Sequence, residues 1–339
     1  MVELIKPRKL RAGDTVATVS ISGGRAGDPD MIGRYRLGKR RLQEEFGLEV
    51  VETPNAMKGN DFIYRNPKAR VEDLHGALLD PAVKGIIANH GGDDSYRLLP
   101  YVDFDILHDH PKAFVGFSDI STTHNLFTYA GVTSYYGPAL LTPIAQPVRL
   151  DRYTAFWMKK VLFSSEPIGR VDACESWTPI TWNDDPNQEI PWTQNGGYEV
   201  LQGTGTVAGR LLGGCSAPLQ QIMGTFLFPT PEQWRDSIIF LEIGSSYRLQ
   251  LAGLHLLRSL AATGMFRRAK GLICQSMTEE EKQTLLKVLR DEEGLTDLPI
   301  LIGVEFGHRT PMTVLPIGAM AEIDCDAGTF TILESGVLD

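Results

Sequence analysis

Cysteine is scarce in this chain of 339 residues. Only Cys174, Cys215, Cys274 and Cys325 occur, scattered and without a Cys-x-x-Cys pair. That pattern argues against a disulfide framework and favours reduced, buried thiols. A concentrated basic face is also missing. Lys and Arg number 33 against 42 Asp and Glu, for a net charge of −9. Without clustered cations there is no counterion release to hold a nucleic acid, so no nucleic-acid partner is expected. No stretch approaches the roughly 18 uninterrupted apolar residues of a membrane span, and the first ten residues hold no apolar core of signal-peptide length. The expectation is a cytoplasmic protein with no membrane partner. Low-complexity tracts and internal repeats are absent as well. What is present is an ordinary globular balance, 42% apolar and 22% charged, on a chain longer than one hydrophobic core usually supports.

Short apolar runs rich in Val, Ile and Phe (Thr15–Ser20, Leu48–Glu52, Gly85–Ala88, Ala113–Phe117) alternate with segments of helical period (Met31–Phe46, Ala69–Leu79, Ile120–Ala130). This alternation predicts βαβ units around a mostly parallel sheet. A second set follows residue 200. Ser237–Leu241, Gly271–Cys274 and Leu298–Phe306 read as strands, Leu249–Ala262 and Glu279–Asp291 as helices, and Ala319–Leu333 as a closing hairpin turning at Asp326-Ala327-Gly328. Between the sets, residues 166–202 carry Trp177, Trp182 and Trp192 with little periodicity. They read as a linker pinned by aromatics or as a lid over a pocket. The expected organisation is an N-terminal α/β domain over 1–165, the Trp-rich segment 166–202 and a C-terminal α/β domain over 203–339.

In Gly116-Phe117-Ser118-Asp119 an apolar strand runs through a sharp turn into a helical stretch. Such a turn lifts a hydroxyl above the carboxyl edge of a sheet and aims backbone N–H groups at it. The usual elbow is Gly-x-Ser-x-Gly, whereas here Asp119 and Ile120 follow; read alone, Ser118 or Asp119 also serves as a helix cap. A serine nucleophile needs a base. His308 emerges after the apolar run Leu298–Phe306, whereas His75, His124 and His255 sit within helical patterns. His108-Asp109-His110 resembles half a metal site without a third clustered ligand, so no metal is expected. Glu242 ends the run Ser237–Leu241 as a carboxylate that requires a partner. Glu305, the rival acid, lies three residues before His308, where strand alternation points it to the opposite face. Ser118, Glu242 and His308 thus share one kind of place, the carboxyl end of an apolar strand, where open parallel sheets bind ligands. The loop Asn89-His90-Gly91-Gly92-Asp93-Asp94-Ser95 follows another such strand; it reads as turn chemistry or as a backbone approach to a ligand.

Gly-Gly-x-x-Ser at 91–95, Gly-Phe-Ser-Asp at 116–119, Gly-Arg-Leu-Leu-Gly-Gly at 209–214, Phe-Leu-Glu at 240–242 and Phe-Gly-His-x-x-Pro at 306–311 occur in the order of the LD-carboxypeptidase family, which the chain resembles over nearly its whole length. The resemblance implies two α/β domains with the active site in the cleft between them, a homodimer and no cofactor. It implies a serine peptidase or amidase with nucleophile Ser118, orienting acid Glu242 and base His308. The amides of Asp119 and Gly92 would hold the oxyanion, with Gly91 beside the substrate. The family includes muramoyl-tetrapeptide carboxypeptidases of wall recycling and microcin C immunity proteins. Chain length and the Trp-rich stretch lean toward the immunity branch. There the substrate is a small peptide or peptidyl-nucleotide, and Trp182 and Trp192 would stack on its nucleotide end. The alternatives are a wall tetrapeptide substrate, or a binding protein that sequesters a peptide or nucleotide without cleavage. Two positions depart from the family pattern: Cys215 stands where Asn is common, and Cys274-Gln-Ser-Met277 stands where polar contacts to the substrate terminus are expected.

Overall fold

The computed structural model describes residues 3–180, 185, 187–188, 190–243 and 251–339. Its fold is mixed α/β with mostly parallel sheets. The first sheet has six strands in the order Leu315–Pro316, Tyr135–Tyr136, Ala113–Gly116, Val83–Ala88, Thr15–Val19, Glu49–Glu52. All neighbours in it run parallel except the last-arriving strand, Leu315–Pro316. The second has eight strands, of which Thr206–Cys215, Ser237–Glu242, Gly271–Cys274 and Ile300–Ile302 form the parallel centre. The central strands read as unbroken apolar runs because helices cover both faces; every residue of Ala113–Gly116 and Ser237–Glu242 is buried.

Local chemistry sets the ends of the helices. Ile32–Phe46 stops at Gly47, which adopts φ 67° and returns its N–H to the carbonyls of Gln43 and Leu42. Pro67 opens Pro67–Leu79, where its missing N–H costs nothing. Thr278 and Glu281 form a capping box at the start of Glu279–Leu286, and that helix widens into a π-turn over Lys287–Glu292. No helix among the described residues is long and apolar enough to cross a membrane.

The run Leu298–Phe306 is not one strand. Only Ile300–Ile302 pairs. At Gly303, φ 100° turns the chain away, and the N–H groups of Gly303 and Val304 both go to the Cys274 carbonyl. A side chain at Gly303 would collide with the Gly197 carbonyl, 2.7 Å from its Cβ. The described residues of the segment 166–202 likewise hold more regular structure than its texture suggests. Gly169–Val171 and Glu199–Gln202 join opposite edges of the second sheet, while Ser176–Pro179 pairs with Thr193–Gln194 and with Arg309–Thr310. These strands are too short to print a period on the sequence.

Candidate active site

Ser118 sits between the strand Ala113–Gly116 and the helix Ser121–Tyr129 with φ 64°, a left-handed backbone that costs a non-glycine residue about 1 kcal/mol or more. The elbow is held from behind by His124. Its Nε2–H donates to the Gly116 carbonyl at 2.9 Å while Nδ1 accepts from the Ser134 hydroxyl at 2.9 Å. Burial pushes the His124 pKa down to about 4, so the ring is neutral and this division of roles holds. The side chain of Asp119 faces inward. Its carboxylate accepts from Ser22 Oγ at 2.5 Å and from the N–H groups of Asp94 and Ser95 at 3.1 and 2.9 Å. In return, Ser95 Oγ donates to the Asp119 carbonyl at 2.6 Å. Burial nevertheless raises its pKa, with the Ser22 and Ser95 hydrogen bonds opposing. Asp119 therefore clasps the Gly-rich loop to the elbow. Gly91 then lies so close that a Cβ there would be 3.0 Å from Ser118 Cβ. Among the described residues neither the Gly92 nor the Asp119 N–H donates to a protein acceptor.

The strand Ser237–Glu242 of the second sheet carries Glu242, 2% exposed, at its carboxyl end. Gly307, at φ 87°, carries the chain directly over that carboxyl; a Cβ there would be 2.5 Å from Glu242 Cδ. Its neighbour His308 consequently donates its backbone N–H to Glu242 Oε1 at 3.0 Å, and the imidazole Nδ1 meets the same oxygen. Ser118 Oγ lies 3.0 Å from His308 Nε2. The three residues singled out from the sequence thus form one hydrogen-bonded chain. Burial pushes the His308 pKa down, but the Glu242 charge and hydrogen bond outweigh it and the net shift is upward. Burial pushes Glu242 up, and the His308 charge with the His308 and Tyr136 hydrogen bonds reverses it, leaving the acid below its usual range.

Tyr136 was not foreseen. Fully buried at the end of Tyr135–Tyr136, its hydroxyl accepts from the Ser118 N–H at 3.1 Å and donates to Glu242 Oε2. It bridges the turn that carries the serine and the acid. A tyrosine in a short apolar run carries no signal beyond core packing. Ser121 ties the two sheets in a similar way, donating to the Ser118 carbonyl at 2.7 Å and accepting from the Cys215 N–H at 2.8 Å. The Cys215 thiol is buried, and burial pushes its pKa well above the ordinary thiol value.

Glu305 does not compete for His308, though for a different reason than alternation, since it lies outside any strand. Its fully buried carboxyl accepts from Asn195 Nδ2 at 2.7 Å, Tyr153 Oη at 3.1 Å, the Cys174 N–H at 3.2 Å and Tyr198 Oη at 3.3 Å. It fastens the 174–198 segment beside His308. Of the tryptophans in that segment, Trp182 lies outside the described residues. Trp192 is 37% exposed beside Arg149.

Two cavities meet at His308. The larger, of about 840 Å³, is lined by Ser118, Gly91, Gly92, His90, Arg25 and Tyr64 among others. Burial, with the Arg25 and His308 charges adding, pushes the His90 pKa down to about 4. The smaller, of about 280 Å³, lies between Trp177, Glu242, Ser276, Thr278 and Arg309. Trp192 lines neither. Gln275 braces the end of the Glu242 strand by pairing its amide with both backbone groups of Ile243.

The family model described as the LD-carboxypeptidase N-terminal domain matches residues 16–137, and the LD-carboxypeptidase C-terminal domain matches residues 208–323. The chain is 25% identical to the probable murein peptide carboxypeptidase of Bacillus subtilis, over 98% of this chain and 95% of the relative. It is 26% identical to the microcin C7 self-immunity protein MccF of Escherichia coli, over 96% and 94%. Among solved structures, an MccF-like protein from Streptococcus pneumoniae in complex with AMP superposes with a TM-score of 0.85 at 28% identity, covering 94% of this chain and 98% of that one. Matched by both of its domain models in order, the chain belongs to the LD-carboxypeptidase family.

Proposed function

We propose that the protein is a serine hydrolase that cleaves an amide bond near the C-terminus of a small peptide or peptidyl-nucleotide. The observation that carries this reading is the continuous contact from Ser118 Oγ through His308 to Glu242. His308 Nε2 takes the hydroxyl proton as Ser118 attacks the carbonyl carbon, and Glu242 stabilises the imidazolium that forms. The unengaged N–H groups of Gly92 and Asp119 stabilise the oxyanion. The imidazolium then protonates the leaving nitrogen, the C–N bond breaks, and water activated by His308 releases the acyl group. The relatives' names point to both substrate kinds, a murein peptide and a microcin. Incubating the protein with a murein tetrapeptide and with an aspartyl sulfamoyl adenosine separates the two. Ser118→Ala should lower turnover of the true substrate about 10³-fold or more. Undiminished turnover by that variant would remove the serine from the mechanism, and binding without cleavage by the parent would favour a sequestering protein.

A further inference from the structure

His308 Nε2, which takes the proton from Ser118, hands it on to the leaving nitrogen, so the departing part of the substrate must pass beside the imidazole. The smaller cavity adjoins that imidazole: His308 and Glu242 line it. Its wall holds Arg309, which is buried, with its guanidinium 4.1 Å over the Trp177 ring and Nη1 donating to Ser276 Oγ at 2.6 Å. Among the described residues Arg309 forms no ion pair. The acids whose charge reaches it, Glu305 and Glu281, are committed elsewhere. Glu305 receives its four donors from the 153–198 region, and Glu281 caps its own helix by accepting from the Thr278 N–H at 2.7 Å. A guanidinium offers five N–H donors, and a buried cation without a counter-charge is costly. Stacking on an indole offsets only part of that cost, and burial accordingly pulls the Arg309 pKa below the usual guanidinium value.

Resting on the hydrolase reading above, we propose that this cavity is the leaving-group site and that Arg309 receives an anionic group carried next to the scissile nitrogen. Two substrates share that chemistry: a C-terminal amino acid, whose α-carboxylate is one carbon from the amide nitrogen, and a nucleotide joined through an acidic sulfamate or phosphoramidate linker. A cavity of about 280 Å³ falls at the small end of ligand pockets, roughly 300–1,000 Å³: it takes one amino acid, whereas a nucleotide would leave its base outside.

The test measures binding by calorimetry in a Ser118→Ala background, which keeps substrates intact. The probes are a murein tetrapeptide, the same peptide as its C-terminal carboxamide, and an aspartyl sulfamoyl adenosine. The anionic probe that fits should bind about 10- to 100-fold more weakly once Arg309→Met is added, and Arg309→Lys should restore part of the loss. A merely structural arginine would not be rescued for one probe and not another. Loss confined to the peptide acid, with the acid-over-amide preference abolished, identifies the carboxylate; loss confined to the nucleotide probe identifies the linker. Affinities unchanged by Arg309→Met, or no binding of either anionic probe, overturn the proposal. Should the Met variant not fold, the Lys variant reads the same ratios. Failure of the hydrolase reading is distinguishable: the protein with Ser118 intact would leave every probe uncleaved while discrimination by Arg309 in binding persisted.

Discussion

Replacing Tyr136 with Phe removes one oxygen from the centre of the site, and its effect can be worked out in advance. The Tyr136 hydroxyl donates to the buried carboxylate of Glu242 and accepts from the Ser118 N–H. A hydrogen bond to an ionised partner contributes about 1.5–3 kcal/mol, and a buried N–H left unpaired costs about 1–3 kcal/mol. The two losses share one atom and do not add fully, so a destabilisation of about 3 kcal/mol is expected. For a chain of this size that is roughly 6 °C in Tm. Catalysis should change with a specific sign. Glu242 loses a donor that disperses its charge, the imidazolium of His308 gains from the more concentrated negative charge, and the His308 pKa, already raised, rises further. Because the base works only when neutral, the acid limb of the kcat/KM profile should move to higher pH by about half a unit to one unit. The control is Tyr135→Phe. That neighbour is equally buried and donates to the Gly336 carbonyl at 2.8 Å, away from the site; it should lose about 1 kcal/mol with an unmoved limb. Melting curves and pH–rate profiles of both variants decide the matter. A Tyr136→Phe protein that melts lower but keeps its acid limb in place would make Tyr136 an ordinary core residue and refute the coupling.

Four further expectations follow from the same geometry. The folded pKa of His308 lies above its unfolded value of 6.5, so its stabilising share is full below about pH 6.5 and lost as pH rises through the raised value; urea unfolding across that window should lose this slope in His308→Gln. The folded pKa of Glu242 lies below 4.5, so its share is present above that value and disappears as pH falls through the depressed one, a slope that Glu242→Gln should remove. Gly307→Ala should destabilise by about 3 kcal/mol or more and abolish activity, because its Cβ would fall on the Glu242 carboxyl. Gly169→Ala, at a similar φ of 82° but in open space, should cost only about 1–2 kcal/mol of backbone strain and leave turnover intact. Glu305→Leu strands four donors and should expose the 174–198 segment to limited proteolysis, whereas Glu305→Gln should retain protection; equal cleavage of both variants would show that the carboxyl does not fasten it.

The parts of the site that the sequence discloses are those tied to strand ends. Ser118 and Glu242 stand out because each lies at the end of a buried apolar strand, one in each sheet, and His308 because it follows the apolar run Leu298–Phe306, of which only Ile300–Ile302 is strand. Four of the six strands of the first sheet are legible for the same reason, their runs matching to within two residues, whereas the two-residue strands Tyr135–Tyr136 and Leu315–Pro316 are too short to read. What stays hidden is whatever depends on close backbone approach. Thr206–Cys215, the ten-residue strand that joins the antiparallel and parallel parts of the second sheet, contains Gly-Arg-Leu-Leu-Gly-Gly and looks like a poor strand. Its glycines are there because the neighbour is so near: a Cβ on Gly213 would lie 1.8 Å from the Phe240 carbonyl oxygen. Glu305 was read through alternation, which fails once Gly303 breaks the strand. Tyr136 and Arg309 escape notice because their roles come from partners more than a hundred residues away or from the lack of a counter-charge, and neither leaves a local pattern.

Before adding the last two strands of the second sheet, the chain returns to the first to pair Leu315 with Tyr136 and Pro316 with Tyr135, and the Ile317 N–H reaches the Ser134 carbonyl at 2.9 Å. The two halves are therefore sewn together at the very strand that carries Tyr136. A fragment ending near residue 165 would display that strand as a bare edge, a template for pairing with other copies, and should precipitate rather than fold. Any split version of this protein would have to leave residues 315–317 with the first half, and gene fragments cut at the visible seam between the family's two domain models would not yield a working module.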